Sequence, residues 1–256
     1  FFKCDVQMEF LKLKNIGICA FEWSTPFARG ELIEKYFFAA KGIGITTIAI
    51  PHGCNVFLNS DVTLAYRQLT QKGIIPDQSD TNLFDYYIFQ NPIRRDGWIK
   101  WGFNPVKTQA WGSLRFYPDW AAKNKEICPK FHFNKNSDGK LKIVFMQFQK
   151  EYNIKNELIF DTLKKISFLD NVLLTVKDAT REGKEYYDRN KKANTLGSSL
   201  VGWYGNEVHS PALVNWADIV IVIGGSIGIE AILQQKTLIY PLYLNTNSTL
   251  YEYFEA

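Results

Sequence analysis

Short apolar runs alternate with amphipathic stretches along the chain, an order typical of α/β proteins with mostly parallel sheets. Residues 46–50 are β-branched and apolar on both faces, as in strands covered by helices on both sides. Residues 31–41 predict an amphipathic helix. The other predicted strands are residues 15–21, 86–89, 108–111, 142–146, 172–176, 200–203, 218–223 and 237–240. The other predicted helices are residues 156–166, 211–216 and 226–235.

The alternating pattern is interrupted between residues 121 and 140, where Lys, Asn, Ser and Asp predominate on either side of Pro129. Such a composition is typical of a linker. We therefore predict two Rossmann-like domains, residues 1–135 and 136–256, that face a cleft. In open parallel sheets, ligands bind beyond the carboxyl ends of the strands, so residues at those ends are the candidates for function.

Composition narrows the class of protein. With 46% apolar and 22% charged residues among 256, the chain is an ordinary globular protein. Its net charge of +4 is too small and too scattered to predict a nucleic-acid partner. The four cysteines lie far apart, which argues against a disulfide framework or zinc site and favours the cytoplasm. No apolar run is long enough to span a membrane, and a chain that starts at Phe1 without Met is expected to be a fragment.

The most informative segment, I-V-I-G-G-S-I-G-I-E-A at residues 221–231, runs from an apolar strand through glycines into a helix. Gly225 and Gly228 would let a phosphate approach the backbone, and Ser226 is placed to cap the helix, whose free N–H groups favour an anion. Glu230, one turn into the helix, could accept hydrogen bonds from ribose hydroxyls. The alternative is a tight turn followed by an ordinary cap.

The same segment satisfies the G-x-S-x-G pattern of α/β-hydrolases, which also requires an acid and then a His after the serine. No Asp and no His follow Ser226, so the hydrolase interpretation fails within this sequence. The segment is also not the G-x-G-x-x-G of a first βα turn, so a nicotinamide dehydrogenase is only weakly supported.

Two candidate proton acceptors follow the first two strands. His52 lies between Pro51 and Gly53 at the end of the second strand, and an imidazole with a pKa near 6.5 suits general-base catalysis. Glu22 lies at the end of the first strand, and neighbouring strand ends would bring the two side chains close together. The alternative for His52 is a loop histidine whose hydrogen bonds go to backbone groups. The alternative for Glu22 is a solvated carboxylate in a turn.

Cations mark the ends of other predicted elements. Lys177 and Arg181 follow the strand at 172–176 and could neutralise a diphosphate or an acidic sugar. His209, at the start of the helix at 211–216, could contact a phosphate. The alternative for residues 177–181 is a solvated helix face that extends from Arg181. The alternative for His209 is a residue that lies next to a helix cap.

The order of these elements and motifs resembles the GT-B superfamily of nucleotide-sugar enzymes. Within it, the chain is most similar to the group of UDP-N-acetylglucosamine 2-epimerases, CDP-glycerol glycerophosphotransferases and bacterial surface or capsule polysaccharide glycosyltransferases. Three segments carry the resemblance: G-G-S-I-G-I-E-A at 224–231 with the strand that follows, P-H-G at 51–53, and A-W-G-S-L-R-F at 110–116.

On the donor side, the resemblance implies a GT-B-like fold whose C-terminal domain binds the nucleotide sugar. Gly225, Ser226 and Glu230 would hold the diphosphate and ribose, and His209 the donor phosphate. The resemblance implies a metal-independent reaction that needs no cofactor.

On the other side of the cleft, the resemblance implies that His52 or Glu22 is the catalytic base. Gly53, Ser113 and Arg115 would belong to the acceptor side. The acceptor would be a glycan or a lipid-linked molecule, which leaves peripheral contact with the inner face of the membrane open.

Two departures distinguish this chain from the epimerases of the group. Their turn after the second strand carries an acidic residue where this chain has His52-Gly53, and their Gly-Asp pair is replaced by Phe21-Glu22. We therefore predict a glycosyltransferase that uses a nucleotide-activated sugar to build a bacterial surface polysaccharide. The alternatives are a nucleotide-sugar 2-epimerase and a non-catalytic module that binds sugar nucleotides.

Overall fold

The computed structural model describes residues 2–23, 31–51, 72–74, 77, 79, 82–133, 138–147, 155–178, 193–197, 200–223 and 226–244. Contacts divide the chain into two compact units, Phe1–Leu114 and Arg115–Ala256. Each unit contains a parallel sheet with helices between its strands, which confirms the predicted α/β class. Within the described residues, no helix is both long and apolar enough to cross a bilayer.

The first unit contains a sheet whose described strands lie in chain order, β1-β2-β3-β4, all parallel. The strands are β1 (Ile18–Trp23), β2 (Thr46–Pro51), β3 (Tyr86–Phe89) and β4 (Thr108–Ala110). The helices are α1 (Phe2–Leu13), α2 (Glu31–Gly42) and α3 (Pro92–Lys100). Helix α3 begins where it does because Asn91 caps it, accepting a hydrogen bond from the Arg94 N–H, and because proline fits the first turn.

The core of the first unit is built from aromatic rings. Phe37, Phe84 and Tyr87 are almost fully buried, and their rings meet edge to face. The Phe37 and Phe84 centroids lie 4.7 Å apart, within the favourable range for aromatic pairs. These ring contacts stabilise the core of the first unit.

The second unit contains a five-stranded parallel sheet in the order β7-β6-β5-β8-β9, as far as the chain is described. The strands are β5 (Leu141–Met146), β6 (Val172–Lys177), β7 (Val201–Tyr204), β8 (Ile219–Val222) and β9 (Thr237–Ile239). The helices are α4 (Pro118–Ile127), α5 (Asn156–Ser167), α6 (Ser210–Trp216) and α7 (Ile227–Leu233).

The central strand β5 is covered on both faces. Ile143 and Phe145 join one buried apolar cluster, whereas Val144 and Met146 join another on the opposite side. This two-sided burial explains the continuous apolar run in the sequence and is the usual arrangement of parallel sheets.

The polar stretch predicted as a linker is partly helical, because residues 118–127 form α4. This helix packs against α6 and α7 of the second unit. After it, Phe131 packs edge to face on Trp216, and Phe133 stacks on the same ring. Residues 115–133 are thus attached to the second unit, whereas the sequence places the boundary at residue 135.

Candidate functional site

The strand order of the second sheet reverses between β5 and β8. From β5 the chain builds outward to β6 and β7, and then returns to the other side of β5 for β8 and β9. The last residues of the two central strands, Met146 and Val222, are register partners. Crevices at such reversals, beyond the carboxyl ends of the strands, are where open α/β sheets bind ligands. The glycine-rich segment leaves β8 at this point.

Glu230 is held in an ion pair with Arg115 that the sequence analysis did not predict. The Nε and Nη2 atoms of Arg115 both donate to its Oε1, at 3.0 and 2.7 Å. The side chain of Glu230 is 10% exposed and that of Arg115 is 45% exposed. The other carboxylate oxygen, Oε2, is buried and has no hydrogen-bond partner among the described residues. The two carboxylate oxygens of Glu230, on the helix that follows β8, therefore have different environments.

Helix α7 does not begin as the sequence predicts. Ser226 occupies the cap position, but its backbone is helical and its side chain makes no capping hydrogen bond, so the predicted serine cap is wrong. Gly228 has a packing role: a Cβ there would lie 3.2 Å from Cγ1 of Val222 on β8. Its absent side chain allows α7 to approach the sheet, while its predicted role in donor binding stays a prediction. Gly225 lies outside the described residues.

Lys177 lies at the end of β6, as predicted, and is only 7% exposed. Its Nζ donates to the backbone oxygen of Asp178 at 3.5 Å. Asp178 is equally buried and accepts a hydrogen bond from the indole Nε1 of Trp203 on the neighbouring strand β7. The sequence analysis missed Asp178 and Trp203, although an acidic residue directly after a buried strand was a usable signal. Arg181 lies outside the described residues.

His209 immediately precedes α6 and is exposed. His209 itself occupies the cap position, rather than lying next to it as in the alternative interpretation, and its side chain makes no capping hydrogen bond. Helix α6 packs against α7, which carries Glu230. Contact between His209 and a donor phosphate stays a prediction.

In the first unit, the ends of β1 and β2 lie side by side, as the sequence analysis expected. Trp23 is the register partner of Pro51, so residue 52 follows directly from the paired end of β2. Glu22 is exposed on β1, one residue before that end. His52 and Gly53 lie outside the described residues, so their approach to Glu22 stays a prediction.

The turn after β4 carries Ser113. Gly112 adopts a φ of +94°, a conformation that favours glycine, and its N–H donates to the Phe89 carbonyl at 3.1 Å. The Oγ of Ser113 is buried and has no hydrogen-bond partner among the described residues. The acceptor-side role predicted for Ser113 stays a prediction.

Cys128, at the end of α4, is electrostatically coupled to Glu230. Burial raises the pKa of the Cys128 thiol above its ordinary value, and the negative charge of Glu230 raises that pKa further. The thiol is therefore kept in its neutral form. Among the described residues, no cluster of three or more His, Cys, Asp or Glu side chains could hold a metal ion.

Comparison with known proteins finds similarity in structure alone. No protein-family model matches the chain, and no curated protein matches its sequence. Three solved structures illustrate the similarity. A Listeria monocytogenes protein provisionally assigned as a UDP-N-acetylglucosamine 2-epimerase matches with a TM-score of 0.65 at 11% identity, over 99% of this chain and 64% of that one. The Neisseria meningitidis UDP-GlcNAc 2-epimerase bound to UDP-GlcNAc matches at 0.54 and 12% identity, over 93% of this chain and 62% of that one.

The third, Anabaena HepE in complex with UDP, matches at 0.51 and 13% identity, over 91% of this chain and 62% of that one. At such low identity, these matches establish the fold and nothing finer. They confirm the predicted GT-B-like fold with its two parallel-sheet units. The chain spans about three fifths of the length of these proteins.

Proposed function

We propose that this chain binds a nucleotide sugar at the β5–β8 end of its second sheet and transfers the sugar to an acceptor hydroxyl, in the synthesis of a bacterial surface polysaccharide. The observation that carries the proposal is the buried Oε2 of Glu230, which has no hydrogen-bond partner among the described residues and belongs to the helix that follows the sheet's reversal point. A buried acceptor atom without a donor is costly, and a ribose hydroxyl would satisfy it. The structures bound to UDP or UDP-GlcNAc support the same ligand class.

On the donor side, the second unit would bind the nucleotide. Glu230 would accept from the ribose, and the backbone around Gly225 and Ser226 would receive the diphosphate. Lys177 and His209 would neutralise charge on the phosphates. The largest rate contribution expected from this side is stabilisation of the negative charge that develops on the leaving phosphate. We expect this reaction to need no metal ion or other cofactor.

The first unit would supply the base. In an inverting transfer, the acceptor oxygen attacks the anomeric carbon while the bond from that carbon to the phosphate oxygen breaks. The hydroxyl proton passes to His52 or Glu22, and the nucleoside diphosphate leaves with the bonding electron pair. The exposure of Glu22 beside the paired ends of β1 and β2 supports its part in this step.

Epimerisation at C2 of the sugar is the second candidate. The observation that favours it is the set of solved structures described as UDP-GlcNAc 2-epimerases, with TM-scores from 0.53 to 0.65. An epimerase needs no acceptor, so the two reactions are separable. The epimerases carry an acidic residue where this chain has His52-Gly53, and its absence here favours transfer.

A thermal-shift panel tests nucleotide binding. We expect one of UDP, CDP, CMP or GDP to raise the melting temperature of the chain, because a ligand that binds only the folded state stabilises it. The substitution Glu230→Gln should reduce that shift, whereas Glu9→Gln, on the exposed face of α1, should leave it unchanged. The absence of a shift with all four nucleotides would refute the proposal.

Product analysis then separates the two reactions. Incubation with a nucleotide sugar that stabilises the chain should leave the sugar unaltered without an acceptor and yield a glycoside with one. An epimerised nucleotide sugar in the acceptor-free sample would establish the second candidate instead.

A further inference from the structure

The contact between Arg115 and Glu230 is unusual in its geometry. An arginine commonly spans both oxygens of a carboxylate with two parallel hydrogen bonds. Here both donors converge on Oε1, at 3.0 and 2.7 Å, and Oε2 receives no hydrogen bond from the part of the chain that the structure describes. Both residues belong to the second unit.

This geometry gives the two carboxylate oxygens different roles. Oε1 is saturated by a charged fork, which fixes the orientation of the Glu230 side chain. Oε2 is buried, although an ionised carboxylate oxygen has room for about two donors. A group that donates a hydrogen bond at Oε2 would therefore gain energy without displacing Arg115 and without reorienting Glu230.

We infer that Arg115 is a positioning residue of the nucleotide site, which aims Oε2 of Glu230 at the ribose hydroxyls. This inference rests on the proposed function, because the ribose comes from the nucleotide. It also moves Arg115 from the acceptor side, where the sequence resemblance placed it, to the donor side.

A competing role for Arg115 makes the opposite prediction. If the guanidinium occupied the place of the ribose, its removal would free Glu230 and strengthen nucleotide binding. The unpartnered Oε2 favours the positioning role, because a blocking arginine would be expected to engage the oxygen that the ligand needs.

The test compares the affinities of UDP and 2′,3′-dideoxy-UDP, which lacks both ribose hydroxyls, by isothermal titration calorimetry. The wild-type chain should bind UDP about ten-fold more tightly, since a hydrogen bond to a charged group contributes about 1.5 kcal/mol or more. Arg115→Gln should lose most of this preference by weakening UDP while leaving the dideoxy compound nearly unchanged. Arg115→Lys, which keeps the charge but not the fork, should retain part of the preference.

A matched control uses an arginine of the other unit. Arg95 pairs with its neighbour Asp96 on the exposed side of α3, so Arg95→Gln should leave both affinities unchanged. Thermal melting of each variant, measured beside the titrations, verifies that the compared proteins are folded. If Arg115→Gln does not fold, Arg115→Lys replaces it in the comparison.

The outcomes separate the inference from the proposed function. If neither UDP nor another nucleotide binds the wild-type chain, the proposed function fails. If UDP binds and the wild type prefers it over the dideoxy compound, but the folded Arg115 variant keeps the full preference, the positioning role alone is refuted. Tighter UDP binding by Arg115→Gln would establish the blocking role, and equal binding of both compounds by the wild type would overturn the inference.

Discussion

Asp85 joins the beginnings of two neighbouring strands through Thr47. Its Oδ2 accepts hydrogen bonds from both the N–H and the Oγ1 of Thr47, each at 2.8 Å, while its Oδ1 pairs with Lys41 at 2.9 Å. Thr47 is fully buried in β2, and Asp85 directly precedes β3. One carboxylate therefore satisfies two donors of a buried residue and fixes the position of the next strand.

Removing this carboxylate should destabilise the protein. Asp85→Ala leaves the Thr47 donors without their partner, and we expect a loss of roughly 1–3 kcal/mol in the free energy of unfolding. Urea denaturation measures this loss. Asp96→Asn, at an exposed pair within α3, is the control and should cost less than about 0.5 kcal/mol. Equal effects of the two substitutions would contradict the role of Asp85.

The same carboxylate predicts a pH dependence. Partial burial alone would raise the pKa of Asp85, but hydrogen bonds and charge from Lys41 and Thr47 outweigh it and hold the pKa below its ordinary value. The depressed pKa adds stability that is present above about pH 4, the value for an unfolded aspartate, and is lost as the pH falls through the folded pKa. The stability difference between wild type and Asp85→Asn should thus shrink below about pH 4. A difference that stays constant from pH 7 to pH 3 would rule this out.

Gly228 predicts a steric effect with a matched control. A leucine there must displace Val222, which is 2% exposed, so Gly228→Leu should cost roughly 1–3 kcal/mol through overpacking. Gly97, in helix α3, has nothing within 4 Å of an added Cβ, and Gly97→Leu should be neutral or stabilising because leucine favours helices more than glycine does. Chemical denaturation of both variants tests the contrast, and similar stabilities would disprove it.

Substitutions of Arg115 and Glu230 should have non-additive effects on the free energy of unfolding. In a double-mutant cycle of Arg115→Gln and Glu230→Gln, we expect an interaction energy of about 1 kcal/mol. This value is lower than for a fully buried pair because Arg115 is nearly half exposed. An interaction energy within about 0.3 kcal/mol of zero would show that the contact does not stabilise the folded protein.

If His52 or Glu22 is the catalytic base, its substitution should lower the rate of transfer without weakening nucleotide binding. Glu22→Gln or His52→Ala should lower kcat by about 100-fold or more and leave the nucleotide-induced thermal shift unchanged, since these residues belong to the first unit. The measurement is turnover of the nucleotide sugar with acceptor. Turnover that neither substitution reduces would remove both residues as the base.

The sequence was most informative where local periodicity carries the structure. The strands at Thr46–Pro51, Tyr86–Phe89 and Val172–Lys177 were predicted to within one residue, because buried parallel strands are continuously apolar. Residues 121–127 of helix α4 were predicted as linker because the helix surface is polar and none of its residues is buried, so it lacks an apolar stripe. Its attachment to the second unit depends on Phe131 and Phe133, which come after it.

By itself, the sequence determined the α/β alternation, the candidate strand ends and the resemblance to the GT-B superfamily, since these depend on short-range patterns. Only the tertiary structure decided the reversal between β5 and β8 and the partner of Glu230. Arg115 and Glu230 are 115 positions apart, and no local pattern records which distant side chain will neutralise a buried carboxylate. The packing of α4 against α7 brings the segment just before α4, which carries Arg115, to Glu230.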